Sequence, residues 1–127
     1  MPSPRTPALC LATAAVLMLP GTALAKDGDV RTQGSCSGNT SAELKLSPED
    51  GRIETEFEVD QNRNGVRWTV TIRRNGRLAA SARATTRGPS GSFTVRRLLA
   101  DGAGADRVTV RAKSSTGQTC TARATLA

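Results

Sequence analysis

Between Cys36 and Cys120 the chain alternates apolar and polar residues in one short run after another, and the two cysteines bracket the whole of that alternation. A period of two is the signature of half-buried β-strands, because successive side chains point to opposite faces. Ile53, Thr55, Phe57 and Val59 alternate with Glu54, Glu56 and Glu58, and Val66, Trp68, Val70 and Ile72 with Arg67, Thr69, Thr71 and Arg73. Asn75-Gly76 is a two-residue hairpin signal leading into 78–86. Gly88-Pro89-Ser90-Gly91 ends that strand, Phe93 and Val95 open the next, and it runs to about Leu99. Val108, Val110 and Ala112 follow, and Ser115-Thr116-Gly117 turns the chain into Cys120, Ala122, Ala124 and Leu126. At the front, 30–37 and 42–47 read as one split strand. The pattern predicts an all-β, two-sheet antiparallel sandwich of about seven strands, its first and last strands pinned by a Cys36–Cys120 disulfide. No stretch has a helical period, and no internal repeat is visible.

Residues 1–25 read as a secretory signal. Arg5 is the positive flank, Ala8 to Leu19 is an apolar run too short to span a bilayer as a helix, and Ala23-Leu24-Ala25 fits a small-x-small cleavage site. The expected product is one β-sandwich domain over 26–127, starting at Lys26, secreted and without a membrane span. Run length disfavours the alternative, an uncleaved anchor. Cys10 precedes the centre of the apolar run, a poor position for a lipoprotein cysteine, and its removal leaves two thiols.

Such a domain has little to bury. Phe57, Trp68 and Phe93 are the only aromatics, and much of the apolar content is Ala. Small exported domains commonly compensate with disulfides. Closing a loop that spans most of the domain is worth roughly 4–5 kcal/mol in the chain-entropy model, comparable to the stability of a small domain.

Charge is divided unevenly. The full chain carries +7; without Arg5, 17 bases face 11 acids. Residues 26–60 hold four bases and nine acids, and 61–127 hold thirteen bases and two acids. Strand alternation turns Arg67, Arg73, Arg107, Arg111 and Arg123 to solvent, predicting a continuous basic face on one sheet. The same rule turns Glu54, Glu56 and Glu58 outward on the other, predicting faces of opposite charge with Arg96 offsetting the glutamates. An Arg-rich coding bias is the competing explanation of the arginines.

About seven short strands at this turn spacing resemble an immunoglobulin-like or fibronectin type III-like sandwich. Trp68 falls in the third strand, where immunoglobulin domains carry their core Trp. Asp106-Arg107-Val108-Thr109-Val110-Arg111-Ala112 is similar to the D-x-A-x-Y-x-C run of strand F, with Val110 in place of Tyr and Ala112 in place of Cys. The resemblance implies the strand order of such a sandwich without its tyrosine corner or its usual inter-sheet disulfide. Taken whole, the chain resembles small exported single-domain proteins of high-GC Gram-positive bacteria, a likeness that implies no particular activity.

The residue inventory narrows the chemistry. With no histidine, Ser-His-Asp and Cys-His nucleophiles and imidazole ligands are excluded. Bridged cysteines leave no thiolate. A glycosidase needs two poised carboxylates; Glu54, Glu56 and Glu58 share one strand face and read as solvated surface. Asp60-Gln61-Asn62-Arg63-Asn64-Gly65 matches the first half of a calcium loop, but Thr71 stands where the bidentate Glu belongs and Arg63 and Arg67 oppose a cation, so it reads as a polar turn. Asn39-Thr40-Ser41 is a glycosylation sequon, meaningful in a eukaryotic secretory pathway. Neither a metal nor a cofactor is expected.

The expectation is a secreted, non-catalytic binding or interaction module of the cell envelope or medium. Its partner is an anionic wall polymer on the basic face, or another protein. Nucleic acid is disfavoured by the missing stacking aromatics and by export. Oligomeric expectation is a monomer, or weak salt-sensitive self-association through faces of opposite charge. The alternative is a small secreted protease inhibitor presenting the 86–91 loop around Pro89.

Overall fold

Alternation sorts the strands into two antiparallel sheets, seen in a computed structural model that describes residues 3–4 and 28–127. The apolar run, the expected cleavage site and the start at Lys26 lie outside the described residues. Nine strands form among the described residues: β1 (Val30–Gln33), β2 (Ser35–Cys36), β3 (Ser41–Glu49), β4 (Arg52–Asp60), β5 (Arg67–Arg74), β6 (Arg77–Thr85), β7 (Ser92–Ala100), β8 (Asp106–Ser114) and β9 (Thr119–Leu126). One sheet has the order β1-β3-β4-β7, the other β2-β9-β8-β5-β6. The glutamate strand β4 lies beside β7, with Phe57 opposite Val95, while β5, β8 and β9 share the second sheet. This is the strand grouping expected of an immunoglobulin-like sandwich.

The count differs from seven at the front of the chain. Residues 30–47, read as one split strand, make three. β1 joins one sheet and β2 the other, so the chain crosses between sheets at Gly34. Only hydrogen fits there: a Cβ would stand 2.9 Å from the carbonyl oxygen of Thr121 and 3.1 Å from the Cβ of Ala42. β3 is a full nine-residue strand, hairpinned to β4 by Asp50-Gly51 at φ 47° and 75°. Asn75-Gly76 forms the β5–β6 turn at φ 50° and 81°, the left-handed pair that such hairpins demand.

Leu44, Leu46, Ile53, Phe57 and Val59 from one sheet meet Trp68, Val70, Ile72, Val108 and Val110 from the other, all essentially inaccessible. Trp68 packs on Phe93 with ring centroids 5.9 Å apart. Ala112, Ala122 and Ala124 fill the inner face of β8 and β9, where small side chains let the sheets close on so few aromatics. Cys36 and Cys120 are bonded and sit directly opposite in the β2–β9 ladder. Their bond therefore staples two neighbouring strands of one sheet rather than bridging the sheets. It also marks an oxidising environment.

Candidate anion-binding face

The outer face of the five-stranded sheet is built by simple parity. Where Trp68, Val70 and Ile72 turn inward on β5, Arg67, Thr69, Thr71 and Arg73 turn outward; on β8, Val108, Val110 and Ala112 turn inward and Arg107, Thr109, Arg111 and Lys113 outward. β9 adds Thr121, Arg123 and Thr125, and β6 adds Ser81 and Arg83. All five arginines expected on this face, Arg67, Arg73, Arg107, Arg111 and Arg123, lie on it and are exposed.

The register adds a regularity that no single strand shows. Arg83 and Lys113 both stand opposite Thr69, Arg111 opposite Thr71 and Thr121, Arg73 and Arg123 both opposite Thr109, and Arg107 opposite Thr125. Each base on this face thus stands opposite at least one hydroxyl residue and never another base, Arg73 facing Leu78 on its other side. Like charges directly opposite destabilise a sheet, and this spacing avoids them while keeping seven cations on one surface. Sequence reading missed two of the seven. Arg83 sits in an alanine-rich strand whose small residues give a faint alternation, and Lys113 lies one step beyond the Val108–Ala112 pattern.

No acid offsets these cations on their own sheet. The only acidic residue in its strands is Asp106, which is buried. Among the described residues, none of Arg67, Arg73, Arg83, Arg107, Arg111, Lys113 and Arg123 belongs to an ion pair.

The other outer face corrects the expectation of opposite charge, though the Arg96 offset expected there is present. Glu54, Glu56 and Glu58 do point outward on β4, but bases arrive from the neighbouring strands. Arg96 on β7 reaches Glu56 at 3.0 Å and Glu54 at 3.6 Å, Arg31 on β1 reaches Glu43 on β3 at 2.7 Å, and Lys45 lies 3.7 Å from Asp29. The hydrogen bond to Glu56, then the fields of Glu56 and Glu54, raise the Arg96 pKa. That face is mixed in sign: Glu43, Glu54 and Glu56 are paired, while Glu58 is exposed and meets only the Thr94 hydroxyl at 3.5 Å.

Two further clusters are structural. Asp106 accepts from Asn75 Nδ2 at 3.0 Å and from the Gly102 N–H at 3.3 Å, with Arg74 at 3.6 Å. Asn75 in turn accepts from the Arg107 N–H. This ties the β5–β6 turn to the start of β8. A hydrogen bond from Asp101 holds Asp106 below the usual carboxylate range, helped by Asn75, Gly102 and Arg74 against burial. The same bond, with burial and the field of Asp106, raises Asp101.

The 86–91 loop is the second cluster. Thr86 accepts from the Val66 N–H at 3.0 Å and donates to the Arg63 carbonyl at 2.5 Å. Arg87 and Ser92 bond through both backbone groups, and Gly91 lies against the backbone of Asn62 and Arg63. The loop curls back on itself at 87–92 and packs on the 61–65 turn. It does not project as an extended segment.

Among the described residues no group of three or more His, Cys, Asp or Glu side chains is placed to hold a metal ion, and no helix is long and apolar enough to cross a membrane. The chain matches no family model, no curated protein and no solved structure.

Proposed function

We propose that this is an exported, non-catalytic binding module that holds an anionic polymer of the cell envelope or medium on the outer face of its five-stranded sheet. One observation carries the reading: seven exposed cations share that face, and no acid on it offsets them. Net like charge on one surface opposes the compact state, and an anionic partner relieves that repulsion. The opposite face distinguishes a foreign polyanion from a second copy of the chain. Glu43, Glu54 and Glu56 there are already paired with Arg31 and Arg96, so a second copy offers the arginines fewer free acids than the glutamate count suggests. A leader at 1–25 and a disulfide agree with display outside the cytoplasm, and the absence of histidine with a role in binding rather than catalysis.

The test is retention of the purified protein on immobilised anionic polymers over a salt gradient. Binding at low ionic strength that weakens steeply as salt rises is the expected result. Arg67→Glu with Arg111→Glu and Arg123→Glu abolishes it. Absence of binding at low salt, or binding that survives this triple reversal, overturns the reading.

A further inference from the structure

Within that face one position has a cation on every side. Thr109 on β8 stands opposite Arg73 of β5 and opposite Arg123 of β9, and Arg107 and Arg111 lie two residues away along β8 on the same face. The next most crowded hydroxyl, Thr69, has three such neighbours: Arg67, Arg83 and Lys113. Strands lie about 5 Å apart and same-face neighbours about 7 Å apart along a strand, separations that long side chains span. All four arginines around Thr109 therefore reach one group bound above it. The four are exposed, and Thr109 between them is half-buried. Among the described residues, neither the Thr109 hydroxyl nor any of the four guanidinium groups has a hydrogen-bond or ion-pair partner. Asp106, beside Arg107 in sequence, turns inward and is held by Asn75, Gly102 and Arg74.

Resting on the polyanion reading above, we infer that Thr109 and its four arginines form the anchoring subsite of this face, and that the group it takes is a doubly charged phosphate monoester carried on the polymer. Attraction between ligand and site scales with the product of their charges. Four cations around one point therefore favour a second negative charge on the ligand more than any other place on the sheet does. The ring is arginine throughout, whereas the group around Thr69 includes Lys113. Guanidinium forks match phosphate oxygens two at a time, and a monoester offers three terminal oxygens for the four forks to share. Arginines this close repel one another in the free protein, and a dianion relieves that repulsion. A sulfate ester, a phosphodiester or a carboxylate brings one charge and leaves more of it in place. The Thr109 hydroxyl donates to the bound group from below.

The experiment titrates the purified protein at low salt with dextran phosphate and dextran sulfate carrying equal numbers of esters, at about pH 7.5 and about pH 5. A phosphate monoester carries close to two charges at the higher pH and close to one at the lower, its second pKa being about 6. A sulfate ester carries one at both. The chain has no histidine. Asp101 and Asp106 are the acids beside the start of β8, and any change in their charge moves both polymers alike. The readout is therefore the ratio of the two affinities. It is expected to favour phosphate about tenfold at the higher pH and to fall to about one at the lower. Arg73→Gln and Arg123→Gln are each expected to lower the ratio at the higher pH to about threefold. Arg83→Gln and Lys113→Gln, on the same face but outside the ring, weaken both polymers alike and leave the ratio unchanged. Both polymers bound with a ratio near one at the higher pH overturns the inference and leaves the polyanion reading standing. A ratio that persists at the lower pH, or one lowered equally by Arg83→Gln and Arg73→Gln, does the same. Binding of neither polymer overturns both.

Discussion

The indole N–H of Trp68 donates to Oε1 of Gln61 at 3.1 Å. Gln61 is itself nearly buried, and its amide nitrogen donates to Gln118. Trp68 can therefore sit in the core, 1% exposed, with its one polar atom satisfied. A buried Trp ordinarily needs such a partner, and here it comes from the polar turn after β4. The emission of Trp68 is expected to be blue-shifted and poorly quenched by iodide. Gln61→Leu is expected to cost about 1–3 kcal/mol by orphaning the indole N–H, and Trp68→Ala about 3–5 kcal/mol. Solvent-like emission from the folded protein contradicts this packing.

Cys36 and Cys120 are 84 residues apart in sequence and 4.1 Å apart between Cα atoms. A thiol assay on the native, unreduced protein is expected to find neither of them reactive. The double substitution Cys36→Ala, Cys120→Ala is expected to lower unfolding free energy by about 2–5 kcal/mol, read from the denaturant midpoint. Two reactive thiols, or an unchanged midpoint, refute it.

Gly91 and Gly38 separate backbone strain from steric collision. Both have positive φ, 67° and 65°. Around Gly38 a Cβ meets nothing within 4 Å, whereas at Gly91 it would stand 2.2 Å from the Arg63 nitrogen. Gly38→Ala is expected to cost roughly 1–2 kcal/mol, the left-handed penalty alone. Gly91→Ala is expected to cost clearly more, because the 61–65 turn must move. Equal thermal midpoints for the two variants count against the loop packing described above.

Asp106 sets an acid limit on stability. Its folded pKa is depressed, first by the hydrogen bond from Asp101 and also by Asn75, Gly102 and Arg74. A depressed carboxylate stabilises the fold above its unfolded value and loses that contribution as pH falls through the folded value. The raised Asp101 behaves oppositely: its contribution is present when protonated and is lost as pH rises through its folded value. The two titrate as a pair. Asp106→Asn is therefore expected to lower the thermal midpoint most near neutral pH. The difference shrinks below the ordinary carboxylate value of about 4. A difference independent of pH removes the ionised carboxylate from the account.

Period-two patterning was enough to predict the inward and outward faces of β4, β5, β8 and β9, because parity is local: once Trp68 is inside, Arg67 is outside, whatever strand lies alongside. The pairing of Cys36 with Cys120 was legible from number alone, as residues 26–127 hold only these two cysteines. Alternation alone does not show that 30–47 forms three strands rather than one split strand.

What needed tertiary structure was everything that depends on a neighbour. Gly34 divides the first strand between two sheets because two other strands close on it. Arg31 joins Arg96 in offsetting the acids of that face because β1 runs beside β3. Arg73 and Arg123 flank Thr109 only in the register of β5, β8 and β9. A sequence states which way each side chain points along its own strand; which side chains it meets across the ladder is decided by long-range pairing, whose free energy comes from burying both sheets' apolar faces together.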